Sequence, residues 1–180
     1  MAEPVLIRPA RPSDVKSIAR IHVDGWRTAY GGFIPASYLD LLNYEEDSTS
    51  FRQWLFQSSP APSSQVAISE SAVIGFAVAG PNTDEATNTY DAEIHKLFVR
   101  PEFQGQGVGR RLLHAVCFDL LQHGHRSVVL WAYSAARSAV FYQELGGEVV
   151  YHTCQKAGDK ELQVLVFGWS IRDLLQKTEP

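Results

Sequence analysis

The sequence lacks most features that would staple, anchor or export it. Cysteine is scarce: Cys117 and Cys154 are the only two, and a chain of 180 residues does not need the one disulfide they could form. A reducing compartment is therefore expected. No apolar run approaches the roughly 20 residues needed to span a bilayer. The opening Met1-Ala2-Glu3-Pro4 has neither the basic nor the apolar region of a signal peptide. Together these absences point to the cytoplasm, with no membrane partner. No extended basic run exists to follow a phosphodiester backbone, and the formal charge is −4, so nucleic acid is not an expected partner either. No internal repeat or long low-complexity tract divides the chain.

What remains is the composition of an ordinary globule, 45% hydrophobic and 20% charged. It suits one domain over residues 1–180 with a substantial core. Val5–Arg8 reads as a first strand. Pro12-Ser13-Asp14 then starts a helix whose Val15, Ile18, Ala19, His22, Trp26 and Ala29 share one face. Gly31-Gly32 breaks it, and helical pieces follow over Pro35–Leu42 and Glu45–Phe56. A Ser/Pro loop leads to a hairpin, Gln65–Glu70 with Ala72–Gly80, and then to a strand over Asp91–Arg100. Val108, Leu112, Leu113, Val116, Cys117, Leu120 and Leu121 form the stripe of an amphipathic helix to about His123. Gly124 caps it. A strand over Ser127–Trp131, a helix over Ala135–Leu145, a hairpin (Glu148–Lys156 with Lys160–Gly168) and a helix over Ser170–Gln176 complete the order β-αα(α)-ββ-β-α-β-α-ββ. This is an α/β mixture with antiparallel hairpins, without the regular alternation of a doubly wound fold.

The most informative segment is Gln104-Gly105-Gln106-Gly107-Val108-Gly109, placed between a strand and the amphipathic helix. Glycines allow close backbone approach, and the first helical N–H groups are unpaired, so such a loop can cradle phosphate. Arg110 and Arg111 stand in the first turn, where a cation opposes the helix dipole and an anion would relieve it. A Walker A loop would need Gly-Lys-Ser/Thr. A Rossmann turn would follow the first strand and carry an acid about 20 residues on, where Val129 stands here. A purely structural turn remains open on the glycines alone.

The run from Ile94 to Leu113 resembles the acetyl-CoA motif of the GNAT superfamily of N-acetyltransferases. Gln104, Gly107 and Gly109 match its Arg/Gln-x-x-Gly-x-Gly/Ala core. Val128-Val129-Leu130-Trp131, Ala136-Arg137, Phe141-Tyr142 and Leu145-Gly146-Gly147 resemble the superfamily's second motif, so the resemblance is strongest over residues 91–147. The stretch from Ile7-Arg8-Pro9-Ala10 through Asp14, Ile21-His22, Trp26, Ala29-Tyr30-Gly31 and Ile34-Pro35 is similar to a bacterial subgroup with mostly undefined substrates, polyamines among the candidates. The resemblance implies a GNAT-type fold: a central mixed, mostly antiparallel sheet flanked by helices. One departure stands at Ala135, where the superfamily often has an Asn that contacts pantetheine or nearby backbone.

The resemblance also implies direct attack by a substrate amine on the thioester of acetyl-CoA, the co-substrate. Such amines, of free pKa near 10, are mostly cationic at neutral pH, so a base is needed. Tyr142 is the candidate acid for the leaving thiolate. Glu93 is the first candidate base and His95 the second, both on one strand face; Asp91 is a weaker third. Leu97, Phe98 and Val99 are expected along the pantetheine. Gln104, Gly105, Gln106, Gly107, Val108, Gly109 and Arg110 are expected at the pyrophosphate, with Arg137 toward the adenosine phosphates. Trp26, Tyr30 and Phe33, with Tyr38, are candidates for the acceptor wall, since aromatic faces attract ammonium groups; the same residues also suit a plain core. Cys117 reads as core. His123 and His125 alone are too few for a metal site, and no metal is expected.

The acceptor is read as a small-molecule amine, a polyamine or amino acid. Acetylation of a protein N-terminus or lysine, and a non-catalytic acyl-CoA-binding regulator, are the alternatives. Superfamily members often form homodimers, which nothing in these residues decides.

Overall fold

The computed structural model describes residues 5–179; the Met1–Pro4 stretch read above for export signals lies outside them. Strand β1 (Leu6–Pro9) leads through a 3-10 turn into α1 (Val15–Tyr30). Asp14 fixes this junction: its carboxylate accepts two hydrogen bonds from the Arg8 guanidinium, at 2.7 and 2.9 Å, and one from the Arg11 N–H at 2.7 Å. Helices α2 (Ala36–Leu39) and α3 (Tyr44–Gln57) follow. Asn43 caps α3 by accepting from the N–H groups of Glu45 and Glu46, and three acids in the first turn complement the helix dipole.

Strands β2 (Ser63–Ser69), β3 (Ala72–Pro81) and β4 (Ala92–Val99) continue the sheet in antiparallel order. Helix α4 (Val108–Gln122) crosses to β5 (Ser127–Tyr133), then come α5 (Arg137–Glu144), the hairpin β6 (Glu148–Ala157) and β7 (Lys160–Ser170), and α6 (Ile171–Thr178). Among the described residues seven strands lie in the order β1-β2-β3-β4-β5-β7-β6, and of their pairings only that of β4 with β5 is parallel. This is the mixed, mostly antiparallel sheet that the family resemblance implies.

Helices cover both faces. On one, Val15, Ile18 and Ile21 of α1 and Phe51 and Leu55 of α3 pack on Val66, Phe76 and Val78. On the other, Leu112, Leu113, Val116 and Cys117 of α4 join Ile74, Ala77, Phe167 and Leu174. β3 is buried along its length except at its two ends, as a strand covered on both faces must be.

Helix α2 ends at Leu39 rather than Leu42, β2 starts at Ser63 rather than Gln65, and two further boundaries shift beside the cavity described below. β5 runs two residues past Trp131 because β7 pairs with it as far as Tyr133↔Val164, and the Ser134 N–H donates to the Gln163 carbonyl. α5 therefore starts at Arg137 rather than Ala135, and Ala136 is extended (φ −80°, ψ 141°). Ala135 sits exposed in the turn before the helix.

Candidate active site

Parallel strands β4 and β5 pair at only two positions, Ala92↔Val128 and Glu93↔Val129, and then part. A cavity of about 380 Å³ occupies the wedge between them. Ile94 through Phe98 line one side and Leu130 through Tyr133 the other; Trp26 and Tyr30 come from α1, Ser138 and Tyr142 from α5. In this wedge the β4 backbone groups that face β5 have no strand partner, so they are free to bind an extended ligand.

A β-bulge in β4 decides which side chains reach the cavity. Ala79 pairs with Ile94 but Val78 with Lys96, leaving His95 as the extra residue. Regular alternation would place His95 and Lys96 on opposite faces. The bulge puts Glu93, His95, Lys96 and Phe98 all toward α1 and α3, while Ile94, Leu97 and Val99 face α4. Glu93 Oε1 stands 3.2 Å from His95 Nδ1, so the two candidate bases meet on the face expected. The third, Asp91, is committed elsewhere: its carboxylate accepts from the N–H groups of Arg126 and Ser127 and from the Ser127 hydroxyl. Partial burial works against its charge, but these hydrogen bonds outweigh that and hold its pKa below the ordinary carboxylate value.

Tyr142 lies across the cavity on α5, its ring against Phe167 and Trp169. Burial, with a smaller effect from the Tyr30 phenol, pushes its pKa well above the ordinary tyrosine value, so it stays a proton donor through the physiological range. Tyr142 is among the residues that line the cavity.

The aromatic wall is continuous. Trp26 and Tyr30 meet edge to face at 4.9 Å between ring centroids, and Tyr133 touches Tyr30 at 5.2 Å. Phe33 packs behind Tyr30 and Tyr133 and Tyr38 behind Trp26; neither lines the cavity. Burial raises the Tyr30 phenol to about 12. Trp26 is held by a relay that sequence reasoning missed: its indole N–H donates to His22 Nε2 at 3.0 Å, and His22 Nδ1–H donates to Asp47. This geometry fixes the neutral Nδ1–H tautomer. Burial keeps His22 below the ordinary histidine pKa, against the pull of Asp47 and helped by Lys96. The spacing of His22 and Trp26, four apart in α1, was the available signal. Lys96, Tyr133, Gln155 and Asp84, which also line the cavity, were not singled out from the sequence.

The glycine loop is built as a cradle. Gly105 (φ 72°) and Gly107 (φ 79°) adopt left-handed conformations, and a Cβ on either would meet nothing within 4 Å. Glycine is needed there for the turn, with open space above it. The first backbone hydrogen bond into α4 runs from the Arg111 N–H to the Gly107 carbonyl, so the N–H groups of Val108, Gly109 and Arg110 are left over at the helix N-terminus. Gln104 ties the loop to β4 by donating to the Val99 carbonyl at 2.9 Å, and Gln106 donates to the Glu102 carbonyl. Val99 itself packs toward α4 and does not line the cavity. Arg110 donates to the Lys177 carbonyl and Arg111 to that of Val5, both protein contacts. Arg137 is exposed at the first turn of α5.

These residues fit an acyl-coenzyme A: a turn with spare N–H donors for the pyrophosphate, leading to a strand edge with free amide groups for the pantetheine. Known proteins agree. The model of the acetyltransferase (GNAT) family matches residues 24–147. The uncharacterized N-acetyltransferase YuaI of Bacillus subtilis is 36% identical over 165 residues, 92% of each chain. The PaiA N-acetyltransferase of Thermoplasma acidophilum, solved with coenzyme A, superposes with a TM-score of 0.71 at 15% identity, over 93% of this chain and 99% of its own. The phosphinothricin acetyltransferase of Sinorhizobium meliloti, solved with acetyl-CoA, gives 0.71 at 20% identity, over 93% and 89%. With a family match over well more than half its residues and a bacterial relative aligned along nearly all of it, this chain belongs to the GNAT family of acetyltransferases.

Proposed function

We propose that the protein moves an acetyl group from acetyl-CoA to a primary amine of a small molecule, of the polyamine or amino-acid kind, by direct attack in a ternary complex. The observation that carries this reading is the wedge itself. It brings the Glu93–His95 pair and Tyr142 to one cavity, with the glycine cradle at the C-terminal end of the same strand. Acetyl-CoA supplies an activated thioester. Relatives solved with coenzyme A or acetyl-CoA support its choice as co-substrate. The cradle N–H groups from Gly105 to Arg110 hold the pyrophosphate, and the free edge of β4 at Leu97 and Phe98 aligns the pantetheine arm.

The chain's own residues then manage protons. Glu93, with His95 beside it, draws a proton from the acceptor ammonium, which is the protonated form at neutral pH. Tyr142 gives a proton to the departing thiolate. Trp26, Tyr30 and Tyr133 close the acceptor side with ring faces suited to a cationic amine, and they leave space for a small molecule. Incubation with acetyl-CoA and a panel of polyamines, amino acids, aminoglycosides and peptides, read by thiol release, tests the reading. Tyr142→Phe should lower turnover on any accepted amine far more than acetyl-CoA affinity. Unchanged turnover removes Tyr142 from the acid role, and tight coenzyme A binding with no amine accepted favours a regulator.

A further inference from the structure

Besides its tyrosines, the cavity is lined by four charged or titratable side chains: Asp84, Glu93, His95 and Lys96. Asp84 caps the 3-10 turn that follows it by accepting from the Ala86 N–H, and Glu93 is engaged with His95. Lys96 differs. Among the described residues no carboxylate comes within 4.0 Å of its ammonium, and it makes no hydrogen bond. The two carboxylates whose charges act on it, Glu93 and Asp47, are committed to His95 and His22.

The bulge fixes the side of the sheet on which this cation lies. Lys96 is paired with Val78, a member of the α1–α3 layer, so its side chain shares the face of Glu93, Phe98 and the aromatic wall. Burial without a direct counter-ion disfavours the ammonium and lowers its pKa from the ordinary lysine value, which Glu93 and Asp47 partly oppose. Such a charge is costly unless something pairs with it.

We propose that Lys96 receives an anionic group of the acceptor, so that the preferred acceptors are amines that also bear a carboxylate, the class of α-amino acids and their analogues, rather than polyamines. This rests on the reading of the cavity as a small-amine site. A polyamine would bring a second cation against Lys96. A carboxylate meets a cation in a medium of reduced dielectric, where a charge-assisted hydrogen bond is short and strong. The amine then faces Glu93 and His95, and the aromatic wall takes the apolar remainder. The reaction balances without another reagent: the C–N bond forms as the C–S bond breaks. Of the two protons the ammonium gives up, one ends on sulfur and one in solvent. The products are an N-acetyl amino acid and coenzyme A.

The test uses size-matched pairs, L-phenylalanine with phenethylamine and L-leucine with isopentylamine, alongside putrescine and spermidine, assayed with acetyl-CoA by thiol release. For each pair, kcat/KM should favour the amino acid by about tenfold or more. Lys96→Met should collapse that ratio toward one and Lys96→Arg should keep most of it. Folding of each variant is checked by thermal melting and coenzyme A binding, and Lys96→Gln replaces Lys96→Met if the latter does not fold. A wild-type preference for the decarboxylated amines or the polyamines, or a ratio that survives Lys96→Met, overturns the proposal. If no amine releases coenzyme A, the small-amine reading fails on its own account. The subsite is then read by calorimetric titration of N-acetyl-L-phenylalanine and N-acetylphenethylamine into the coenzyme A-saturated protein. Affinity for the carboxylate that is lost in Lys96→Met upholds the subsite; equal or undetectable affinities overturn it.

Discussion

Replacing Gly107 with alanine tests the cradle directly. Gly107 is the residue before α4, at φ 79° and ψ −2°, and an added Cβ would meet no atom within 4 Å. The substitution therefore carries no clash, and its whole effect is the cost of a left-handed residue bearing a Cβ, about 1–2 kcal/mol. That cost can surface in two places. If the loop holds its shape in the free protein, the melting temperature falls by about 2–4 °C per kcal/mol for a chain of this size. If the loop relaxes and must be rebuilt around the pyrophosphate, melting is unchanged and the Kd for coenzyme A rises about 5–30-fold. Differential scanning calorimetry and isothermal titration together capture both. Gly107→Asn should suffer less, because asparagine tolerates this conformation. Gly32→Ala, also facing open space but without a positive φ, is the control and should change neither quantity. A Gly107→Ala protein that melts and binds like the wild type would refute the reasoning, as would an Asn variant worse than the Ala one.

Two further outcomes are expected. Asp14→Asn should cost about 2 kcal/mol at neutral pH, less than the ~3–5 kcal/mol of a fully buried pair, because Arg8 keeps 22% of its side-chain surface in water. Burial opposes the Asp14 charge, but Arg8 and the Arg11 N–H outweigh it and hold its folded pKa below the 3.8 of a free aspartate. The stabilisation is thus complete above about pH 4 and fades as pH falls through the folded value, so melting curves of wild type and variant should converge only in strong acid. With iodoacetamide on the native protein, mass spectrometry should find Cys154 modified and Cys117 untouched, since Cys117 is buried in the α4 layer with its thiol pushed up to about 12 and Cys154 is exposed. Equal labelling of both would mean that α4 opens readily.

What the sequence discloses here is local. The stripe of α4, its Gly124 stop at φ 95° and the cradle glycines depend on neighbours a few residues away, and all stand where their spacing put them. The Ala157-Gly158-Asp159 turn likewise marked the last hairpin. Features set by distant strands were less legible. β7 lies between β5 and β6, and its ladder carries β5 past Trp131, which moves Tyr133 into the aromatic wall of the cavity and shortens α5. Lys96 was hidden for a similar reason: period-two alternation assigns it to the face opposite His95, and only a bulge against β3 reverses that. The Glu93–His95 pair was visible because it lies before the bulge takes effect on Lys96. The relay from Asp47 through His22 to Trp26 spans α3 and α1, a separation that no local pattern encodes.

The two-pair seam between β4 and β5 also makes the sheet mechanically a hinged book. Four strands form one leaf and three the other, and beyond Glu93 and Val129 the backbone hydrogen bonding that would clasp the leaves together is missing. On the proposed reading, a pantetheine arm laid in that opening would act as a removable strand, closing the seam when it arrives and releasing it when it leaves. Rigidity and occupancy are thereby linked. At a coenzyme A concentration one hundred times its Kd, a ligand bound there would add about 2.7 kcal/mol to the folded state.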